Sequence, residues 1–193
     1  MVVESGIWKS ALIAGAFAAG FIYAPPNAQA LDLTIGGAFD DPDDVFLVEF
    51  SVAGPSPSVL FTAFTSNFDP TNSLPDPTDP ILTLFSGTGD FAVLEDDNDD
   101  GAQGFSAAVN GVIFTGEFLD SLLDVSLPVG DYTLGVSSFP NFAEGPSLGN
   151  GYSNFDFGTG GNFRVHLLGV DEILGTQGPA PVSPSFPRRD FIS

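Results

Sequence analysis

The sequence predicts an all-β protein built as an antiparallel β-sandwich of eight or nine strands. Apolar and polar residues alternate with a period of two along most segments, as they do in half-buried strands. Gly, Pro, Asn or Asp bounds each segment, and helical periodicity is nearly absent. A domain of about 150 residues with this many short, punctuated segments is typical of a sandwich.

The strand candidates follow one another along the whole predicted domain. The first, Leu31–Phe39 (LDLTIGGAF), places Leu31, Leu33 and Ile35 on one face. The second, Val45–Ala53, has four apolar residues on one face and Glu49 and Ser51 on the other. The remaining candidates, in chain order, are 58–66, 80–87, 90–96, 110–118, 121–128, 131–139 and 162–170.

The two ends of the chain differ from the predicted sandwich. Residues 1–30 have the pattern of an export signal, with Lys9, the apolar run Ala11–Ala24 and a small-residue site ending at Ala30. The run is shorter than the roughly 20 residues that span a bilayer, so we expect cleavage and no membrane span in the mature form. The domain is predicted over residues 31–174, and the aperiodic segment 175–193 is predicted to be a flexible Pro-rich tail.

The charge balance restricts the possible partners. The chain carries 25 acidic and 4 basic residues, a formal net charge of -21. Nucleic acids and anionic lipid surfaces would be repelled, so neither is an expected partner. We expect the protein to be secreted and to act outside the cell or at the outer cell surface. Because it has no cysteine, it cannot form disulfides, so we expect a bound metal to stabilise the fold instead.

The segment Leu94–Gly104 (LEDDNDDGAQG) is the candidate metal site, because it crowds five carboxylates into six positions with no nearby base. Asp96, Asn98 and Asp100 followed by Gly match the first half of an EF-hand calcium loop, in which alternate side-chain oxygens converge on one cation. The second half does not match, since Ala107 stands where the bidentate Glu would be. The pattern therefore predicts an Asp-rich turn that binds Ca²⁺ with help from another segment, such as Asp120, Asp90, Asp79 or residues 40–44. The alternative is a solvated acidic loop.

Catalytic signals are weak. The chain has no cysteine, no G-x-S-x-G motif and a single histidine, His166. In the segment 162–170, Phe163, Val165 and Leu167 are predicted to face inward, which places Arg164 and His166 on the outer, solvent-exposed face. We therefore expect no enzymatic activity.

The Gly-rich loop 140–161 carries the aromatic residues Phe142, Tyr152 and Phe155. Aromatic side chains in a long loop either bind a ligand such as a sugar or fold back to cap the end of the sandwich. Phe142, Tyr152 and Phe155 are thus candidate ligand-binding residues, with capping as the alternative.

Four motifs in this order resemble the bacterial pre-peptidase C-terminal (PPC) domain, in the variant found in exported proteins of the PEP-CTERM sorting type. The likeness extends from about Asp41 to Val170. The motifs are DDVFLVEFSV, DPILTLFSGTGDFAVLEDDNDD, DSLLDVSLPVGDYTLGVSSFPNFAEGP and GNFRVHLLGV.

The resemblance implies a jelly-roll-like sandwich that is non-catalytic, binds calcium in some relatives and acts as an accessory, adhesive or matrix-associated module outside the cell. The acidic positions of the family would fall on Asp79, Asp96, Asp97 and Asp120. The tail keeps the Pro-rich approach and Arg188-Arg189 of the sorting type, but it lacks the Pro-Glu-Pro signal and the apolar helix.

The expected function is therefore a non-catalytic, secreted, calcium-binding sandwich with a structural or adhesive role, whose partners are calcium and extracellular matrix or surface polymers. Two alternatives stay open. The first is a self-assembling fibre subunit, a homo-oligomer in which Leu31–Phe39 adds to the sheet edge of a neighbour. The second is a carbohydrate-binding module that uses the loop aromatics.

Overall fold

The structure, a computed structural model, describes residues 30–54, 58–153 and 160–178. These ranges contain eleven strands and one short 3-10 turn, so the predicted all-β class is confirmed. Within them no helix has the length and apolar character needed to cross a membrane. The strands are β1 (Leu31–Phe39), β2 (Val45–Val52), β3 (Ser58–Thr65), β4 (Pro80–Ser86), β5 (Val93–Asp99), β6 (Ser106–Val109), β7 (Val112–Thr115), β8 (Leu122–Pro128), β9 (Gly130–Ser138), β10 (Gly161–Val170) and β11 (Glu172–Gln177), with the turn at Leu148–Asn150.

The strands form two packed sheets and one separate hairpin. The four-stranded sheet has the order β1-β10-β3-β8, the five-stranded sheet has the order β11-β2-β9-β4-β5, and β6 pairs with β7. All of these pairings are antiparallel. The chain crosses repeatedly from one sheet to the other, so the predicted antiparallel sandwich is confirmed. β1, also considered as a strand donated to a neighbour, pairs along its length with β10 of its own chain.

The core lies between the two sheets and follows the predicted alternation. Every second residue of β2 is buried, and Phe163, Val165 and Leu167 of β10 face inward as predicted. Aromatic rings link the layers, since Phe50 stacks on Phe61 with 4.8 Å between ring centroids. The fully buried members of this core include Phe46, Val48, Phe50, Phe61, Leu82, Leu84, Leu134, Val136, Phe163, Val165 and Leu167.

Two strands extend the fold beyond the prediction, which had no strand at β6 or β11. β11 pairs with β2 as far as Gln177, opposite Leu47. The predicted tail therefore begins too early, because residues 175–177 belong to a strand. The predicted signal peptide up to residue 29 and the tail from residue 179 lie outside the described residues.

The acidic segment also differs from its prediction. A strand was predicted at 90–96 with an Asp-rich turn after it, but β5 begins at Val93 and runs to Asp99. Glu95, Asp96, Asp97 and Asp99 therefore lie in a strand, and only Asp100 belongs to the turn. This change decides which carboxylates meet, because neighbouring residues of a strand point to opposite faces.

The hairpin of β6 and β7 covers part of the outer face of the four-stranded sheet. Phe64, Val109 and Phe114 form a second apolar cluster there. His166 lies beneath the hairpin with 0% exposure, and its ring centroid is 4.2 Å from that of Phe114. The prediction that His166 and Arg164 are solvent-exposed was wrong, because the outer face of β10 is itself buried.

Candidate metal centre

The pleat of β5 divides the acidic run between the two faces of the five-stranded sheet. β5 is an edge strand that pairs with β4. Asp96 lies opposite Leu84 and Asn98 opposite Leu82, both core residues, so Asp96 and Asn98 are on the inner face. Asp97 pairs with Thr83 and Asp99 with Ile81, on the outer face. The carboxylates of the run therefore do not all converge on one cation.

Asp79, Asp99 and Asp100 form a compact group, here called the Asp triad. Asp79 immediately precedes β4, Asp99 ends β5, and Asp100 follows in the turn with a left-handed backbone (φ 67°). One carboxylate oxygen from each residue lies within 4.8 Å of the others. Antiparallel pairing places the start of β4 beside the end of β5, and this brings Asp79 to the other two.

The turn that presents Asp100 is held by Asn98. Its side-chain oxygen accepts hydrogen bonds from the backbone N–H of Gly101 and of Leu122, each at 2.9 Å. A side chain at position 101 would collide with the Asn98 amide, so this turn requires glycine. Asn98 was predicted to bind metal, but its oxygen already accepts two donors and joins the turn to β8.

The triad contains buried oxygens without donors. Oδ1 of Asp79 and Oδ1 of Asp99 are buried, and neither has a hydrogen-bond partner. Burial, followed by the charges of Asp99, Asp100 and Asp120, raises the pKa of Asp79 to about 7. Burial, with the charges of Asp100 and Asp97, raises the pKa of Asp99 to about 6. Protein donors do not stabilise these two carboxylates in the ionised form.

The residues of the triad fit a hard divalent cation. Calcium takes oxygen ligands at about 2.3–2.6 Å, so two ligands on opposite sides of one ion lie at most about 5 Å apart. The three carboxylate oxygens of the triad satisfy this limit, because all lie within 4.8 Å of one another. Carboxylate oxygens are the ligand type that calcium and magnesium prefer. Three carboxylates would balance the charge of the cation, and further oxygens would complete its coordination shell.

The triad contains Asp79 and Asp100, two of the predicted ligands, and it adds Asp99, which lies in the predicted acidic segment but was not named as a ligand. Asp96 and Asp97 are exposed and lie outside the triad on opposite faces of β5. Asp99 was missed because the EF-hand pattern selects alternate residues of a loop and passes over position 99. The signal that could have found it is the strand register, which places Asp99 opposite Ile81, two residues after Asp79.

Asp120 was predicted as a ligand but serves as a buried hydrogen-bond acceptor. Its Oδ1 accepts from the hydroxyl of Thr65 at 2.9 Å and from the backbone N–H of Asn67 at 2.8 Å. Its Oδ2 accepts from the N–H groups of Phe68 and Glu117 at 3.3 and 3.0 Å. The side chain has 0% exposure. Protein donors thus occupy both oxygens, and Asp120 does not belong to the Asp triad.

A buried polar network lies under the hairpin. It contains the only hydrogen-bonded His–Ser pair in the described ranges, an arrangement that also occurs in catalytic sites. His166 Nε2 lies 2.8 Å from the hydroxyl of Ser66, and Nδ1 lies 2.9 Å from that of Thr34. Burial, and then the charge of Arg164, lowers the pKa of His166 to about 3. Ser66 and His166 both have 0% exposure, so a substrate has no access to the pair. We interpret the pair as structural.

Arg164 and Asp69 complete this network. Arg164 donates from Nε to the Ser66 hydroxyl at 2.9 Å and from a terminal nitrogen to the carbonyl of Asn72 at 2.7 Å. Asp69 accepts from Thr71 and from the backbone N–H of Thr115 on the hairpin. Burial opposes ionisation of Asp69, but these bonds and the charge of Arg164 hold its pKa below the usual value. The network fastens the hairpin to the sheet.

The aromatic loop residues are placed differently from one another. Tyr152 is buried in a third cluster with Phe85 and Ala92, on the outer face of the five-stranded sheet. Phe142 is half-buried and stacks edge-to-face on Phe139 with 5.9 Å between centroids. Tyr152 therefore packs against the protein itself, over the outer face of a sheet and not over the end of the sandwich. Phe155 lies outside the described residues.

No protein-family model and no curated protein matches the chain. The resemblance to the PPC domain therefore depends on the four motifs alone.

Proposed function

We propose that this protein is a non-catalytic, calcium-stabilised β-sandwich that is exported and has a structural or adhesive role at the cell surface or in the extracellular matrix. The observation that carries the proposal is the Asp triad, which combines three converging carboxylates with two buried oxygens that lack donors. A divalent cation between β4 and β5 would supply the missing partner. It would also join the start of one strand to the end of the next.

Without a cation, the Asp triad destabilises the folded state. Burial and mutual repulsion both disfavour the ionised forms, which is why the pKa values of Asp79 and Asp99 are raised. Lys and Arg offer little relief, because Arg164 is the only one in the described ranges and is engaged under the hairpin on the other sheet. A bound Ca²⁺ would offset the repulsion, so binding would stabilise the folded state.

Export and the adhesive role are supported by the sequence. The pattern of residues 1–30 is that of a cleaved signal, and the four motifs resemble a family of extracellular accessory domains. Calcium is abundant outside the cell, and extracellular modules bind it with dissociation constants of about 10⁻⁴–10⁻³ M. A weak site would therefore be filled there.

Thermal unfolding with and without calcium tests the proposal. At a calcium concentration ten times the dissociation constant, binding adds about 1.4 kcal/mol. For a domain of this size that raises the melting temperature by about 3–6 °C. We expect the rise in the wild type and in Asp97→Asn, and its loss in Asp99→Asn. Asp97→Asn is the matched control, since Asp97 is also on the outer face of β5 but outside the triad.

An unchanged melting temperature for the wild type in 10 mM CaCl₂, relative to the same sample in chelator, would refute the calcium site. A rise of equal size in Asp99→Asn would place the ion elsewhere. Adsorption of the calcium-loaded protein to isolated matrix polymers or cell-wall material tests the adhesive role separately.

A further inference from the structure

A cleft of about 600 Å³ opens at the side of the sandwich where β5 and β8 form the sheet edges, and residues of both sheets line it. Leu84, Tyr132 and Val125 give it apolar walls from both sheets, and Glu95, Asp96 and Asp131 supply carboxylates. Tyr132 is anchored by a hydrogen bond from its hydroxyl to the carbonyl of Pro128 at 2.8 Å. The cleft is separate from the Asp triad, which lies on the opposite face of β5.

A β-bulge explains why two acids of β5 line the cleft. Asp96 pairs with Leu84 and Leu94 with Phe85, so Glu95 is the additional residue between them. A bulge of this kind re-aims a side chain. Asp96 is on the inner face by register. Glu95 lines the same cleft as Asp96 and Tyr132. In agreement with this placement, burial and then the charge of Glu95 raise the pKa of Tyr132.

The arrangement of charges favours an organic cation over a metal ion. Among the described residues only the Asp triad brings three carboxylates close enough to share one ion, so Glu95, Asp96 and Asp131 do not converge in that way. Carboxylates spread around apolar walls suit a ligand whose charge is attached to a carbon chain. The chain lies against Val125 and Leu84 while its ammonium group meets the acids.

We propose that this inter-sheet cleft binds a primary alkylammonium group, the chemistry shared by a free linear diamine and a lysine side chain of a peptide. The aliphatic stem packs between β4 and β8, and the ammonium group donates hydrogen bonds to Glu95 and Asp96. The long-range field of a chain with a net charge of -21 attracts such cations to the molecule.

Nuclear magnetic resonance of the full chain, saturated with calcium, tests the proposal through the Val125 methyl groups and the Tyr132 ring. The probes are 1,5-diaminopentane, the end-blocked tripeptide Gly-Lys-Gly, and 1-pentanol as an uncharged molecule of similar length. We expect saturable shifts at these residues with one or both amines at millimolar concentration, and none with pentanol. The amine that binds more tightly identifies the source of the ammonium group.

Charge-neutral variants separate the cleft from general attraction to an acidic protein. Glu95→Gln combined with Asp96→Asn should weaken amine binding about tenfold, whereas Asp97→Asn on the outer face should weaken it less than about twofold. Asp131→Asn changes an exposed residue and serves as a second test should the double variant fail to fold; it should weaken binding several-fold. Asp99→Asn should leave amine binding intact, which separates this proposal from the calcium site.

Three results would overturn the proposal: no shift at Val125 and Tyr132, equal binding of pentanol, or equal weakening by Asp97→Asn. The inward acids of β5 would then serve only to protect a sheet edge from pairing with other chains.

Discussion

Asp120 and Asp79 lie in the same part of the molecule but are held in opposite ways. The charge of Asp120 is one of the causes that raise the pKa of Asp79, and the hydroxyl of Ser121 donates to the carbonyl of Pro80 at 2.6 Å. Asp120 accepts four hydrogen bonds from protein donors. Oδ1 of Asp79 is also buried but accepts none.

The difference shows how a structural carboxylate is distinguished from a candidate ligand in a protein rich in acids. Asp120 is fully buried and Asp79 only partly, yet the less buried residue is the one with an unsatisfied oxygen. The supply of donors therefore separates the two. A carboxylate that receives three or four hydrogen bonds is satisfied and stabilises its surroundings. A buried carboxylate without donors, next to two others, is costly unless a cation or a proton joins it.

Asp120→Ala should have the largest effect, because it leaves the donors on Thr65, Asn67, Phe68 and Glu117 without their acceptor. We expect a loss of about 3–5 kcal/mol in the free energy of unfolding, measured by urea denaturation. Asp124→Ala is the control, since Asp124 is exposed on β8 and accepts one bond from Thr62 at 2.7 Å. It should cost less than about 1 kcal/mol. Equal losses would show that the donors around Asp120 contribute little.

The pH dependence of stability should differ between the region around His166 and the Asp triad. His166, with a pKa of about 3 in the folded state and 6.5 in the unfolded chain, contributes stability that is lost as pH falls from about 6.5 to 3. In chelator, Asp79 and Asp99 act in the opposite sense. Their raised pKa values mean that the folded state keeps protons which the unfolded chain releases, so stability falls as pH rises from about 4 to 7.

Urea denaturation of two variants, measured across this pH range, separates the contribution of His166 to the free energy of unfolding from that of the Asp triad. His166→Gln should remove the loss on the acid side. Asp79→Asn should remove the Asp79 part of the loss between about pH 4 and 7 and leave the Asp99 part, which lies between about pH 4 and 6. If the stability of Asp79→Asn in chelator falls over that window as steeply as that of the wild type, the triad does not carry the penalty assigned to it.

Asp99→Asn should produce the smallest change, and its sign is informative. In chelator at pH 8 the variant removes one of three neighbouring charges, so it should be more stable than the wild type by about 1 kcal/mol. Asp97→Asn should change stability by less than half of that amount, since Asp97 is exposed outside the triad. A lower stability of Asp99→Asn in chelator would show that Asp99 has an internal partner.

The sheet architecture could be predicted from the sequence because most of its strands have one face in the core. Alternation along Val45–Val52 and in the segment around Phe163 reflects burial directly, and it identified the strands and their inward residues. β11 was missed because its residues pair with β2 at a sheet edge and are mostly exposed, so its composition resembles that of the adjoining tail.

The candidate site was harder to predict, because it depends on pairing between strands. Asp79 and Asp99 are 20 positions apart, and the register of β4 and β5 brings them together. The environment of His166 depends on a hairpin formed more than 50 residues earlier in the chain. Local patterns predicted a calcium site among the acids, but they did not identify which acids have donors.

Isothermal titration of the chelator-treated full chain with CaCl₂ at pH 8 shows whether the Asp triad binds calcium. We expect one saturable site in the wild type and in Asp97→Asn, and no site in Asp99→Asn. Saturable binding of the same strength in all three proteins, or no binding to the wild type, would contradict the assignment of a cation to Asp79, Asp99 and Asp100.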